Sequence, residues 1–145
     1  MKKNNIFVGT NIYYFILTIS VVVSIGLYGK YRCDNIKHHT DVLEFSLYKD
    51  SKKYGLDGWS ITHFCFNFFI GYFFPKTFTL TILGGIIWEL FETYVGIYKP
   101  SIIQNYGFCK SLTSDNEDQI WWYGKWSDII VNIIGFLIGK YVSKN

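Results

Sequence analysis

Glu89 and Glu92 stand three residues apart in the stretch 84–95 (GGIIWELFETYV), two carboxylates on one face of a segment that is otherwise apolar. An ionisable residue inside a lipid-spanning helix disfavours insertion by roughly 3 kcal/mol, so it is read as functional or as paired. Acids near a helix end that reach up to water are the plainer reading. Against it, Glu89 lies nine residues before Tyr98, about 13 Å inside the span end. Two carboxylates this close in a poorly solvated segment do not both ionise readily. A shared proton, a cation or a bound metal is implied.

Partners for these acids recur in two other apolar segments. His63, Asn67 and Gly71 are each four apart, which places them on one helical face. Asp128, Asn132, Gly135 and Gly139 follow at spacings of four, three and four and share another. His63 could serve as a general base or metal ligand, Glu89 and Glu92 as acid/base groups or metal ligands, and Asp128 as an orienting carboxylate. Asn67 and Asn132 are candidate binding residues. A divalent metal is compatible with this set, but no spacing specifies one, and the cofactor stays open. Gly135-x-x-x-Gly139 is a small-x-x-x-small pattern that signals helix contact and offers a surface for oligomerisation.

The elements that carry these residues read as membrane helices. Half of the 145 residues are hydrophobic, 21% are aromatic and 17% are charged, and the apolar residues fall into blocks. Four blocks predict an all-α polytopic bundle, a single membrane domain over residues 1–145 with spans at about 6–28, 58–74, 77–98 and 127–142. The first span follows Lys2 and Lys3 and ends in Ser24-Ile25-Gly26, so a cleaved secretory signal is its alternative. Its uninterrupted length favours a retained helix. Pro75-Lys76 makes the second and third spans antiparallel neighbours, and Gly84-Gly85 would let another backbone approach. A net charge of +3 without a basic run gives nucleic-acid binding no support.

Two polar loops, 30–57 and 99–126, lie on one side of the bilayer in this topology. The first contains His38-His39, which lacks acids or cysteines at ligand spacing and reads as solvated loop. Within it, 42–48 could form a short interfacial helix. The second has a hydrophilic tip at 111–119 and then the aromatic run 121–126, an interface anchor or, alternatively, a stacking platform for bases or sugars. The topology also sets depths. His63 lies about 6 Å deep, Glu92 about 9 Å and Asp128 about 3 Å, with Asn67, Glu89 and Asn132 roughly 9 to 13 Å deep. Six polar residues from three helices should therefore converge in one leaflet.

The order of His63 opening one helix, Trp88-Glu89-Leu90-Phe91-Glu92 closing the next and Asp128-x-x-x-Asn132-x-x-Gly135 opening the last resembles the VanZ-like membrane proteins and a related group of bacterial integral membrane proteins. The likeness covers roughly residues 57–139, with His63, Glu89, Asp128 and Asn132 matching the polar pattern. It implies a small four-helix membrane fold and a link to glycopeptide or lipid handling at the cell envelope. The chain departs from that pattern in placing Asp57 six residues ahead of His63, and Lys99, Lys110 and Lys125 where an Arg is usual.

Orientation stays open in the sequence. The loop side carries nine Lys and Arg against five on the other, which puts the loops in the cytosol by the positive-inside rule, while the N-terminal lysines and the bacterial resemblance favour the opposite. On an extracytoplasmic loop side, Cys33 and Cys109 could form a disulfide, leaving Cys65 buried and free. Two function classes follow for a multi-pass membrane protein whose partner is the lipid bilayer. The polar cluster binds or processes a lipid or envelope headgroup, or it is a noncatalytic interhelical hydrogen-bond network that locks the bundle.

Overall fold

A computed structural model describes residues 3–35, 41–48, 55–109 and 121–144. His38-His39 and the tip 111–119 lie outside the described residues. The chain is mostly helical, with α1 Lys3–Asp34, α2 Gly58–Phe73, α3 Phe78–Tyr98 and α4 Trp126–Val142. Helix α1 continues six residues beyond Tyr28. Lys30, Arg32 and Asp34 end the apolar block without ending the helix, and Lys30 and Asp34 face each other at i,i+4 spacing, 3.5 Å apart.

Local chemistry sets the other ends. Asp57 caps α2, its carboxylate accepting from the Ser60 N–H at 3.1 Å while Ser60 Oγ accepts from the Asp57 N–H at 3.4 Å, a reciprocal capping box. Pro75 stops α2 because the residue before a proline is pushed out of helical geometry. Helix α3 closes on Lys99 in the left-handed region (φ 45°), and Pro100 follows.

Helices α2 and α4 make the most extensive contact, side by side and parallel, with α3 packed antiparallel against α4. The close approach depends on glycine. A Cβ at Gly71 would meet the Phe136 carbonyl, one at Gly135 the Phe64 carbonyl oxygen and one at Gly139 the Phe68 carbonyl oxygen. The small-x-x-x-small face is thus occupied by α2 of the same chain. Gly84-Gly85 behaves differently from the expectation: nothing lies near Gly84, and Gly85 makes room for the Asn132 side chain instead of a backbone.

The bundle is apolar outside and polar inside. Ile12, Ile19, Leu27, Phe73, Ile87 and Ile130 are each more than half exposed, whereas Asn67, Thr81, Glu89, Asp128 and Asn132 are buried. Buried apolar side chains form two small clusters, Tyr14, Ile70 and Phe136 at one end and Val95, Trp121 and Trp122 at the other. Among the described residues, two helical segments, Ile12–Asp34 and Phe78–Tyr98, are long and apolar enough to cross a membrane.

Above the helix ends sits a layer built on Asp41. Its buried carboxylate accepts hydrogen bonds from the Tyr28 hydroxyl (2.9 Å), the Trp59 and Trp121 indoles (3.0 and 2.9 Å) and the Leu43 N–H (2.9 Å). Arg32 lies over the Trp121 ring, with its Nε 3.8 Å from the same carboxylate. A disulfide joins Cys33 at the end of α1 to Cys109. Several expectations are corrected here. Instead of an interfacial helix, 42–48 forms a turn and then β1 Ser46–Tyr48, paired antiparallel with β2 Leu56–Asp57, because Asp41 turns the chain and the β2 edge is there to pair with. Trp121 and Trp122 are neither an anchor nor an open stacking platform, since both rings are buried and their N–H groups are taken by Asp41 and the Tyr106 carbonyl. Trp126 alone of that run's tryptophans faces outward. Cys65 is free but exposed, because it points away from the α2–α4 contact.

Candidate functional site

The parallel α2–α4 pair places His63 and Asn67 opposite Asn132. Asn67 Nδ2 donates to Asn132 Oδ1 at 2.6 Å and to the His63 carbonyl at 2.9 Å. Asn132 Oδ1 also meets His63 Nδ1 at 3.1 Å. An acceptor at Nδ1 assigns that nitrogen the proton, so the lone pair of neutral His63 sits on Nε2.

Nε2 faces Glu89 of α3. Glu89 Oε1 is 3.8 Å away, beyond hydrogen-bond reach, and is buried with no hydrogen-bond partner. The other oxygen, Oε2, accepts the backbone N–H of Lys125 at 2.6 Å. Gly124 permits this contact, because a Cβ there would meet the Glu89 carbonyl oxygen. The segment before α4 therefore reaches across to α3 and closes over the acid.

Asp128, in the first turn of α4, accepts from Ser60 Oγ at 2.5 Å. Helix N-termini favour negative charge, which suits a carboxylate at this position. Ser60 in turn belongs to the Asp57 capping box. Lys125 Nζ is buried and paired with Asp57 Oδ2, and the Tyr123 hydroxyl donates to the same oxygen at 3.2 Å. Burial and the nearby Asp57 charge push the Tyr123 phenol well above its ordinary pKa, which keeps it a donor. Two polar nests thus share the chain from 57 to 60: Asp57–Lys125–Tyr123 at the rim, and Ser60–Asp128 leading inward.

The candidate residues from the sequence are brought together in part. Donor atoms of His63, Glu89 and Asp128 lie within 4.8 Å of one another, a nitrogen and two oxygens drawn from three helices. Asn67 and Asn132 hold His63 from behind. Glu92, one turn on from Glu89, is half-buried and lies outside this group of three. Sequence reasoning missed Ser60, Asp57 and Lys125 as parts of the site. Asp57-x-x-Ser60 ahead of an apolar run is a helix-start signal that could have revealed the first two. A shallow recess between α3 and the 124–126 segment, edged by Ile86, Leu90, Thr93 and Trp126, has Glu89 in its wall. Compared with protein-family profiles, with curated proteins and with solved structures, the chain has no match.

Proposed function

We propose that this chain is a multi-pass membrane protein of four spanning helices whose polar cluster binds and processes a lipid or envelope headgroup. Support for the spans comes from the inside-out distribution: apolar side chains cover the outward faces of all four helices while acids and amides fill the interior. Helices α2 and α4, at 16 and 17 residues, are short for a bilayer and suit a pair whose first turns sit in the headgroup region. The Cys33–Cys109 disulfide favours an oxidising compartment for the loop side, hence an extracytoplasmic site.

One observation carries the functional reading. Beside the Asn67–Asn132–His63 bonds, Glu89 Oε1 and His63 Nε2 face each other across 3.8 Å without a hydrogen bond. A buried carboxylate oxygen left without a donor costs about 1–3 kcal/mol. A base and an acid held apart leave space for a substrate proton. A shallow recess between α3 and the 124–126 segment has Glu89 in its wall, and the likeness to VanZ-like proteins points to envelope chemistry.

The noncatalytic network is the second reading, favoured by the Asn67–Asn132–His63 bonds. Glu89→Gln and His63→Ala decide between them. Retained expression and thermal stability in detergent with a lost phenotype supports chemistry, whereas unfolding of both variants supports the network. A lipid-extract profile of cells with and without the intact protein names the substrate class, and no change in any lipid or envelope species would sink the headgroup reading.

A further inference from the structure

We propose that His63, Glu89 and Asp128 together hold one divalent transition-metal cation of the zinc class, with at least one coordination position left open. The proposal deepens the headgroup reading and depends on it only for what the cation is used for, not for whether it binds.

Three observations converge. The first is the donor set: one imidazole nitrogen and two carboxylate oxygens within 4.8 Å of one another. Nitrogen and carboxylate donors bind such cations at about 2.0–2.2 Å, and three protein ligands with a vacancy is the pattern of reactive zinc sites. Ligands at that distance from one tetrahedral cation stand about 3.4 Å apart, so donors that lie within 4.8 Å of one another draw together on the ion by up to about 1.4 Å for a pair.

The second is Glu89 Oε1, a polar atom on a side chain only 5% exposed, aimed at the unprotonated face of His63 and lacking any donor. Two lone pairs that face each other across 3.8 Å repel unless something positive lies between them. The nearest fixed cation does not serve, because the Lys125 ammonium is turned to Asp57.

The third is the surround. Each of the three would-be ligands is held by a hydrogen bond on its other side: His63 Nδ1 by Asn132, Glu89 Oε2 by the Lys125 N–H and Asp128 Oδ1 by Ser60. Metal-ligating imidazoles and carboxylates carry such outer partners as a rule, and these fix the ring's tautomer and aim. Here the fixed tautomer leaves Nε2 free for the cation.

The test uses the full chain in detergent or nanodiscs, in a Cys65→Ser, His38→Ala, His39→Ala background that removes other soft donors. After chelation, Zn²⁺ alone is titrated and counted, and Co²⁺ is used as a spectroscopic probe. The expected result is one ion per chain, a Co²⁺ spectrum free of sulfur charge-transfer bands, and Zn–N and Zn–O distances of about 2.0–2.2 Å by X-ray absorption. Asn132→Ala, which removes the outer partner of His63 together with the Asn67 bond and leaves all three ligands in place, should weaken Zn²⁺ binding about 10–100-fold. Glu89→Gln should weaken it at least as much. No ion in the background protein with its Cys33–Cys109 disulfide intact overturns the proposal. So does undiminished binding in both Glu89→Gln and His63→Ala. If those variants fail to fold, X-ray absorption on the background protein decides: a shell with an imidazole nitrogen beside carboxylate oxygens supports the site, and an all-oxygen shell overturns it. Metal binding with an unchanged lipid profile would remove the headgroup reading and leave the cation site standing, and the reverse pair of results would do the opposite.

Discussion

His63 Nε2 faces Glu89 Oε1 across 3.8 Å, and no hydrogen bond reaches the carboxylate oxygen. A protein that sought only stability would not keep this arrangement. Glu89→Gln should therefore leave the fold intact or raise its stability by about 1 kcal/mol, since an amide can donate to the His63 lone pair while its oxygen keeps the Lys125 N–H. Thermal unfolding in detergent, followed by tryptophan fluorescence, measures this. A loss of more than 2 kcal/mol would place Glu89 in the structural network.

Asp57 and Lys125 behave in the opposite way. Both are buried and paired, and Asp57 also caps α2. Lys125→Met leaves a lone buried carboxylate and should cost about 3–5 kcal/mol. Adding Asp57→Asn, which still caps a helix, should recover much of that loss. A double-mutant cycle on unfolding midpoints checks the coupling, and additive losses would show the pair to be independent.

Glycine at 139 is tested against glycine at 84. Gly139→Ala puts a Cβ into the Phe68 carbonyl oxygen, which α2 can relieve only by moving off α4. The expected cost is about 1–3 kcal/mol. Gly84→Ala meets nothing and should be neutral, or stabilising by up to about 1 kcal/mol through helix propensity. Equal effects at the two positions would remove the packing argument.

The disulfide predicts one reactive thiol per chain. Alkylation of the denatured, unreduced protein should label Cys65 only, and labelling of Cys33 and Cys109 after reduction should accompany a lower unfolding midpoint. With the linked positions 76 residues apart in the sequence, the loss is about 2–4 kcal/mol. Three labelled thiols before reduction would exclude the link and, with it, the argument for an oxidising side.

Much of the helical frame was legible because its signals are local. Pro75 and the apolar blocks bound α2 and α3, and four-residue spacings placed His63 with Asn67 and Asp128 with Asn132. The convergence of His63, Glu89 and Asp128 needed one more step, the matching of depths across antiparallel spans. The Asp41 layer was not legible. Its partners Tyr28, Trp59 and Trp121 lie 13, 18 and 80 residues away, and nothing local marks one aspartate in a charged loop as the acceptor of two indoles. Lys125 was hidden for a similar reason, since its backbone N–H contributes as much to the site as its ammonium, and a sequence does not show which N–H groups are unpaired. The end of α1 was misplaced because charge marks where lipid stops, not where hydrogen bonding stops.

The Lys125 N–H that satisfies Glu89 Oε2 belongs to a segment 36 residues further along the chain. During synthesis α3 is therefore made before the group that covers its acid. Glu89 Oε2 gains its hydrogen bond only when the start of α4 folds back on α3, so docking of the last helix and covering of the acid are one event.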